Sequence, residues 1–232
     1  MQAIILAGGL GTRMLPRTEH VPKSLLLVAG RPFIEWQLRR LAECGFDRVL
    51  LCIGHLGDAI RSAVGSGTRF GLRVDYSDDG PRLLGTAGAI RRALPHLDEV
   101  FLVTYGDSYL PFDYSGPWRD LEQHSEALGT MAVFANQGRW EASNTAVRGD
   151  RVLRYGKGSA DPTLDHVDYG ATALRRQVIA ELPLDEPWGL DAVQGELAER
   201  ALLRAWHARE RFFEIGSPEG LADLEFLLRG KS

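Results

Sequence analysis

Gly8, Gly9 and Gly11 follow directly on the apolar run from Ala3 to Ala7, and Arg13 and Lys23 come soon after them. A glycine-rich turn at the tip of a buried strand exposes successive backbone N–H groups that can surround a triphosphate. An Arg and a Lys close behind it add charge-assisted donors for the same anion. Asp107 ends a second apolar run, VFLVTY at 100–105. A carboxylate there can bind Mg²⁺, which prefers hard oxygen ligands and keeps positions for phosphates. Two better-known phosphate motifs do not fit. The loop lacks the GK[ST] ending of a P-loop, and Met14 stands where a dinucleotide fingerprint needs glycine.

The elements that must position these residues follow from patterning. Gln2–Ala7 reads as a buried strand because its apolar run is continuous and stops at Gly8-Gly9. Pro32–Cys44 reads as a helix opened by proline and ended by Gly45. Strands at 48–54, 72–76 and 100–105 alternate with helices at 58–64 and 87–94, the second stopped by Pro95. Strands alternating with helices predict right-handed crossovers and a doubly wound, mainly parallel sheet, with the Gly-rich loop at its ligand-binding carboxyl edge.

Beyond Trp118 the pattern changes to strands at 130–135, 144–147, 152–155 and 167–174 on short polar connections, which predicts a mixed sheet or small β-rich subdomain. A helix, a strand at 211–215 and a helix at 218–228 close the chain. With no internal repeat and no linker, residues 1–232 read as one domain, its first half roughly 1–115 and its second, C-terminal part roughly 116–232.

Composition narrows the classes. Among 232 residues, 27 Lys and Arg against 31 Asp and Glu give a net charge of -4, so a broad nucleic-acid-binding surface is not supported and an anion must be held locally. Cys44 and Cys52 sit in apolar stretches and build neither a disulfide framework nor a zinc site. No apolar run is long enough to span a membrane, so a cytoplasmic protein with no membrane partner is expected. The six histidines are scattered at no metal-ligand spacing. The tryptophans, Trp140 among them, read as core or as the rim of a ligand pocket.

The run LAGGLGTRMLPRTEHVPKSLLLVAGRPFIEW, from Leu6 to Trp36, resembles the signature of the sugar-1-phosphate nucleotidyltransferases. Matching segments follow in order: LGTAGA at 84–89, YGD at 105–107, Lys157, DYG at 168–170 and FEIGSPE at 213–219. The resemblance covers almost the whole chain and implies a Rossmann-like α/β fold, a mixed sheet with a small β-rich sugar-binding insertion.

It implies transfer of a nucleotidyl group from an NTP to a sugar 1-phosphate with Mg²⁺, releasing pyrophosphate. Arg13 and Lys23 would be catalytic, with Leu6, Ala7, Gly8, Gly9, Gly11, Thr12, Asp79, Gly85 and Thr86 binding the nucleotide. Lys157, Asn144 and Asp168 would bind the sugar phosphate, and Asp107 and Glu214 the metal, Glu214 standing where relatives more often carry Asp. Relatives often dimerise, so a homodimer belongs to the expectation. The GTAGA and IGSPEG runs lean towards GTP with mannose or heptose 1-phosphate. Transfer of uridylyl, cytidylyl or thymidylyl groups, an alcohol phosphate as acceptor, and a non-catalytic sensing module are the alternatives.

Overall fold

The structure is a computed structural model that describes every residue except 81, 137, 138, 140, 159, 160 and 230–232. Trp140 therefore lies outside the described residues. In chain order the elements are β1 (Gln2–Leu6), β2 (Leu27–Val28), β3 (Arg31–Pro32), α1 (Phe33–Glu43), β4 (Arg48–Ile53), α2 (Gly57–Val64), β5 (Arg73–Asp78), α3 (Gly85–Ala93), β6 (Val100–Tyr105) and β7 (Ser108–Tyr109). There follow α4 (Ser115–Gln123), β8 (Gly129–Ala135), β9 (Thr145–Arg148), β10 (Arg151–Tyr155), β11 (His166–Arg175), α5 (Arg176–Ala180), α6 (Leu190–Glu199), β12 (Leu203–His207), β13 (Phe213–Glu214) and α7 (Pro218–Leu228).

The chain forms two compact units, and neither is a continuous half: residues 1–83, 104–111 and 212 onward make the first, 84–103 and 112–211 the second. The C-terminal stretch, expected with the second part, thus belongs with the glycine-rich loop.

In the first unit β1 pairs in parallel with β4, and β4 with β5, in unbroken register from Gln2↔Arg48 to Leu6↔Cys52 and from Arg48↔Arg73 to Ile53↔Asp78. Their apolar runs are continuous because a parallel sheet is covered on both faces. Helix α1 turns Phe33, Trp36 and Leu41 inward, as the 3.6-residue period requires. Met14, Val28, Phe33, Trp36, Tyr109, Ile215, Leu224 and Leu228 make one buried cluster. At about 1.5–3 kcal/mol for each large side chain removed from water, this cluster ties the segment after the loop, the short β7 and β13, and α7 into one body.

The second unit is a mixed array. β11 runs antiparallel to β8, β12 lies parallel to β8, and β10 pairs antiparallel with both β12 and β9. Phe112, Tyr114, Tyr169, Trp206 and Phe134 form its aromatic centre, with ring centroids 4.9–5.7 Å apart. Parallel strands in the first unit and the mixed β-rich array in the second agree with the Rossmann-like α/β class.

One local reading is corrected and two elements are added. Leu203–His207, passed over in the sequence, is a strand held between two neighbours. The strand expected at 211–215 shrinks to Phe213–Glu214, which pairs only with β7. Ser115–Gln123, which carries Gly116 and Pro117, is a helix: a Cβ on Gly116 would come within 2.5 Å of the Trp206 ring, so packing chose the residue type there. No helix among the described residues is long and apolar enough to cross a membrane.

Candidate active site

The glycine-rich loop is shaped by close contacts rather than by looseness. Ala7 N donates to Cys52 O at 2.8 Å, continuing the β1 ladder. A Cβ on Gly8 would collide with the carboxylate of Asp79, which is buried behind the loop, 8% exposed. Gly11 has φ +65°, and its face lies against Thr18 and the Lys23 stem, while a Cβ added on Gly9 would meet nothing within 4 Å beyond its chain neighbours. Thr18 Oγ1 donates to Gly11 O at 2.8 Å and locks the left-handed turn. A single 3₁₀ turn, Thr12–Met14, then sends Met14 into the core and leaves Arg13 exposed.

The carboxyl end of β6 meets the same loop. Gly106 N donates to Leu6 O at 2.9 Å, and a Cβ on Gly106 would come 3.0 Å from both Leu6 O and the Ala7 side chain. Glycine at 106 therefore brings Asp107 to the loop's edge. Gln37, fully buried on α1, clamps the turn that carries Asp107 by donating at 2.7 Å to both Tyr105 O and Ser108 O.

On the other side β7 pairs with β13, Ser108 opposite Glu214, and Ile215 N donates to Asp107 O at 2.9 Å. Helix α7 starts just beyond, capped by Ser217, whose hydroxyl accepts from Gly220 N at 3.1 Å, with Pro218 in its first turn.

These supports bring the charged residues together. Lys23 Nζ donates to Asp107 Oδ2 at 2.7 Å, with the two side chains 13% and 25% exposed. A Cβ on Gly216 would lie 3.3 Å from Arg13 Nη2, 3.4 Å from Glu214 Oε2 and 3.5 Å from Lys23 Nζ. Two cations and the Glu214 carboxylate thus gather around the bare face of Gly216, and Asp107 joins them through its ion pair with Lys23.

Gly216→Ala is expected to preserve the fold but place a methyl among these tips, where displacements below 1 Å matter. The kcat/KM for nucleotidyl transfer should fall roughly ten- to hundred-fold, read from initial rates beside an unchanged circular dichroism spectrum.

The second unit holds the other expected ligands. Gly85, with φ +68°, sits so close to Trp188 that a Cβ would be 2.5 Å from its carbonyl oxygen, and Thr86 Oγ1 accepts from Leu190 N at 2.7 Å. Both therefore hold the segment leading into α6. The register between β11 and β8 shifts between Asp168 and Thr172, an irregularity of the kind that re-aims side chains. There the Asp168 carboxylate accepts from Gly170 N at 2.9 Å and from the Tyr155 hydroxyl at 3.1 Å.

Asn144 Oδ1 accepts from Asp168 N and from the Thr145 hydroxyl, each at 2.8 Å. Lys157 is exposed and lines a cavity of about 420 Å³ with Asp191, Glu196 and Glu199. Three carboxylates against one ammonium suit hydroxyl groups better than a phosphate.

Burial pushes the Asp168 carboxyl above its ordinary range, although the Gly170 and Tyr155 hydrogen bonds and the Lys157 charge oppose that shift. A raised native value means the ionised form costs folding free energy, so this group's contribution to stability declines as pH rises through that value. Melting curves of the wild type and Asp168→Asn between pH 4 and 7 should show the difference moving in favour of the variant as pH rises. Acidic groups common to both proteins cancel in that difference.

Sequence reasoning named the charged residues but missed three that position them. Thr18, Gln37 and Gly216 carry no chemical signature of their own. The threonine, inside the long motif, and the glycine, inside the FEIGSPE segment, could have been picked out.

The cluster of Arg13, Lys23, Asp107 and Glu214 stands by a glycine-rich turn at the end of a parallel strand, on a Rossmann-like fold. The MobA-like NTP transferase domain model matches residues 3–208, and the chain belongs to that family.

It is 40% identical over 131 residues to the N-acetylmuramate alpha-1-phosphate uridylyltransferase of Neisseria meningitidis, covering 55% of this chain and 57% of that protein. It is 26% identical over 219 residues to the D-glycero-alpha-D-manno-heptose 1-phosphate guanylyltransferase of Campylobacter jejuni, covering 94% and 96%. It spans about half the length of the first curated relatives it matches. HddC from Yersinia pseudotuberculosis, solved with GMP-PN, shares the fold at a TM-score of 0.80 and 22% identity, over 98% of this chain and 99% of that one.

Proposed function

We propose that the protein transfers a nucleotidyl group from an NTP to a sugar 1-phosphate and releases pyrophosphate. The observation that carries this reading is the convergence of Arg13, Lys23 and Glu214 on Gly216, with Asp107 paired to Lys23.

A sugar phosphate is ionised near neutral pH, so its oxygen needs no general base to attack the α-phosphorus in line. The barrier lies in aligning two anions and neutralising charge as pyrophosphate departs. The amides of Gly8, Gly9 and Gly11 bind the phosphate chain, with Leu6, Ala7 and Thr12 beside them. Arg13 presents a planar fork to the leaving phosphates. Lys23 supplies a compact charge that draws donor and acceptor together.

The donor set also fits Mg²⁺, which is commonly held by one or two carboxylates and completes its shell with water and phosphate oxygens. Asp107 and Glu214 would hold it, and it would neutralise the triphosphate. The four side chains balance to zero charge, so a divalent ion leaves the site positive towards its anionic substrates. Asp79, Gly85 and Thr86 belong to the proposal as nucleotide ligands, and Asn144, Lys157 and Asp168 as sugar-phosphate ligands. Asp79 is the weakest of these, because its carboxylate already packs against Gly8.

For the nucleotide we favour GTP with a mannose or heptose 1-phosphate, supported by the near full-length match to a heptose 1-phosphate guanylyltransferase. UTP with an N-acetylhexosamine-type 1-phosphate is the second reading, supported by the 40% identity to an N-acetylmuramate 1-phosphate uridylyltransferase. A pyrophosphate-release matrix of GTP, UTP, CTP and dTTP against mannose, glucose, heptose, N-acetylhexosamine and N-acetylmuramate 1-phosphates, with phosphocholine as an alcohol-phosphate control, separates them. Turnover should concentrate in the GTP row. Turnover confined to UTP and N-acetylmuramate 1-phosphate would replace the first reading with the second.

A further inference from the structure

A second pocket lies in the first unit on α1. Its volume is about 300 Å³, and Arg31, Arg39, Arg40, Trp36, Tyr109 and Glu43 line it. None of these residues belongs to the site described above. Arg40 pairs with Glu43 at 3.2 Å. Arg31 lies over the Trp36 ring at 5.3 Å from its centroid and Arg39 over Phe70 at 5.6 Å. Among the described residues neither Arg31 nor Arg39 shows a carboxylate ion pair. Three guanidinium groups thus face one carboxylate, a local excess of positive charge on a chain whose net charge is -4.

Stacking leaves the guanidinium edges, where the N–H donors are, open to a ligand. Planar guanidinium forks match phosphate oxygens in pairs. The walls are firm: Trp36 Nε1 donates to Val28 O at 2.9 Å, and Tyr109 is 5% exposed and held in the β7–β13 ladder. Ligand pockets usually run from about 300 to 1,000 Å³, so this one suits a small phosphate ester and is cramped for a triphosphate.

We propose that the Arg31–Arg39–Arg40 pocket binds a small phosphate ester at a site separate from that of nucleotidyl transfer. The proposal does not depend on the reaction assigned above. Its test is calorimetric titration of the full chain carrying Arg13→Ala and Lys23→Ala, which removes the cations of the other site. The probes are ribose 5-phosphate, orthophosphate and unphosphorylated ribose.

Ribose 5-phosphate should bind saturably at one site per chain and ribose not at all. Arg31→Gln and Arg39→Gln, added singly, should each weaken binding roughly ten-fold, the scale of a lost charged hydrogen bond. Orthophosphate binding as tightly as the ester would place recognition in the phosphate alone, and weaker binding would add a contact to the sugar; both uphold the pocket.

In the otherwise native chain Arg39→Gln, at an exposed position of α1, should leave turnover with NTP and sugar 1-phosphate unchanged. No saturable binding, equal binding of ribose, or affinity untouched by both arginine changes would overturn the proposal.

Discussion

Replacing Lys23 with alanine should lower kcat/KM for nucleotidyl transfer by on the order of 10²- to 10³-fold, the usual effect of removing one preorganised group that stabilises developing charge. The size of the effect follows from where the ammonium sits. Its stem lies against Gly11, its tip donates to Asp107, and the same tip lies beside Arg13 and Glu214 across the bare face of Gly216. Among the described residues no other lysine stands in this cluster.

The structural cost should be small. Asp107 keeps 25% of its side-chain surface exposed and has the Ser108 hydroxyl at 3.3 Å, so water and that hydroxyl can compensate for the lost partner. A melting temperature within a few degrees of wild type beside the large kinetic loss would separate chemistry from folding. Lys23→Arg should recover only part of the rate, because the longer planar head cannot take the ammonium's place at both Asp107 and Gly216.

Asp107→Asn is expected to have a comparable effect by a different route. The amide keeps the size of the side chain but removes a negative charge and one anionic oxygen, leaving Glu214 as the one carboxylate of the proposed metal pair. The Mg²⁺ concentration needed for half-maximal activity should rise at least ten-fold, and saturating Mg²⁺ should not restore the full rate. Titrating Mg²⁺ against pyrophosphate release reads both quantities. Pyrophosphate release indifferent to this change would contradict the assignment of Asp107 as a metal ligand, whereas a biological role untouched by it would favour a binding module without turnover.

Residues with large chemical signatures were legible before any coordinates. The run from Leu6 to Trp36 carries strand, loop and both cations in one continuous motif, and β1, β4 and β6 declare themselves by unbroken apolar sequence. Asp107 was legible because it ends such a run. Glu214 was legible only through family resemblance, since β13 is two residues long and its partner β7 is equally short. β7 has no period to read, and of the longer strand expected at 211–215 only the two residues paired with β7 remain.

What was not legible depends on distant partners. Leu203–His207 contains good helix formers, and its pairing with β8 and β10 overrides that local preference. Gln37 looks like a polar residue on an amphipathic helix, yet it is buried because two carbonyls 68 and 71 residues away need a donor. Gly216 reads as an ordinary loop residue until the three tips around it are placed. The division into two units escapes the sequence for the same reason: the last helix returns to the core of the first segment.

The most direct measurement follows the α-phosphate itself. The wild-type chain is incubated with NTPs labelled at that position, Mg²⁺ and each sugar 1-phosphate, and the fate of the label is resolved by chromatography. Label should move into a nucleoside diphosphate sugar, with one pyrophosphate per transfer, only when a sugar 1-phosphate is present, and Lys23→Ala and Asp107→Asn should both nearly abolish it. Label that never leaves the nucleotide with any pair, or that transfers equally well in both variants, would contradict the assignment of this cluster as the reaction centre.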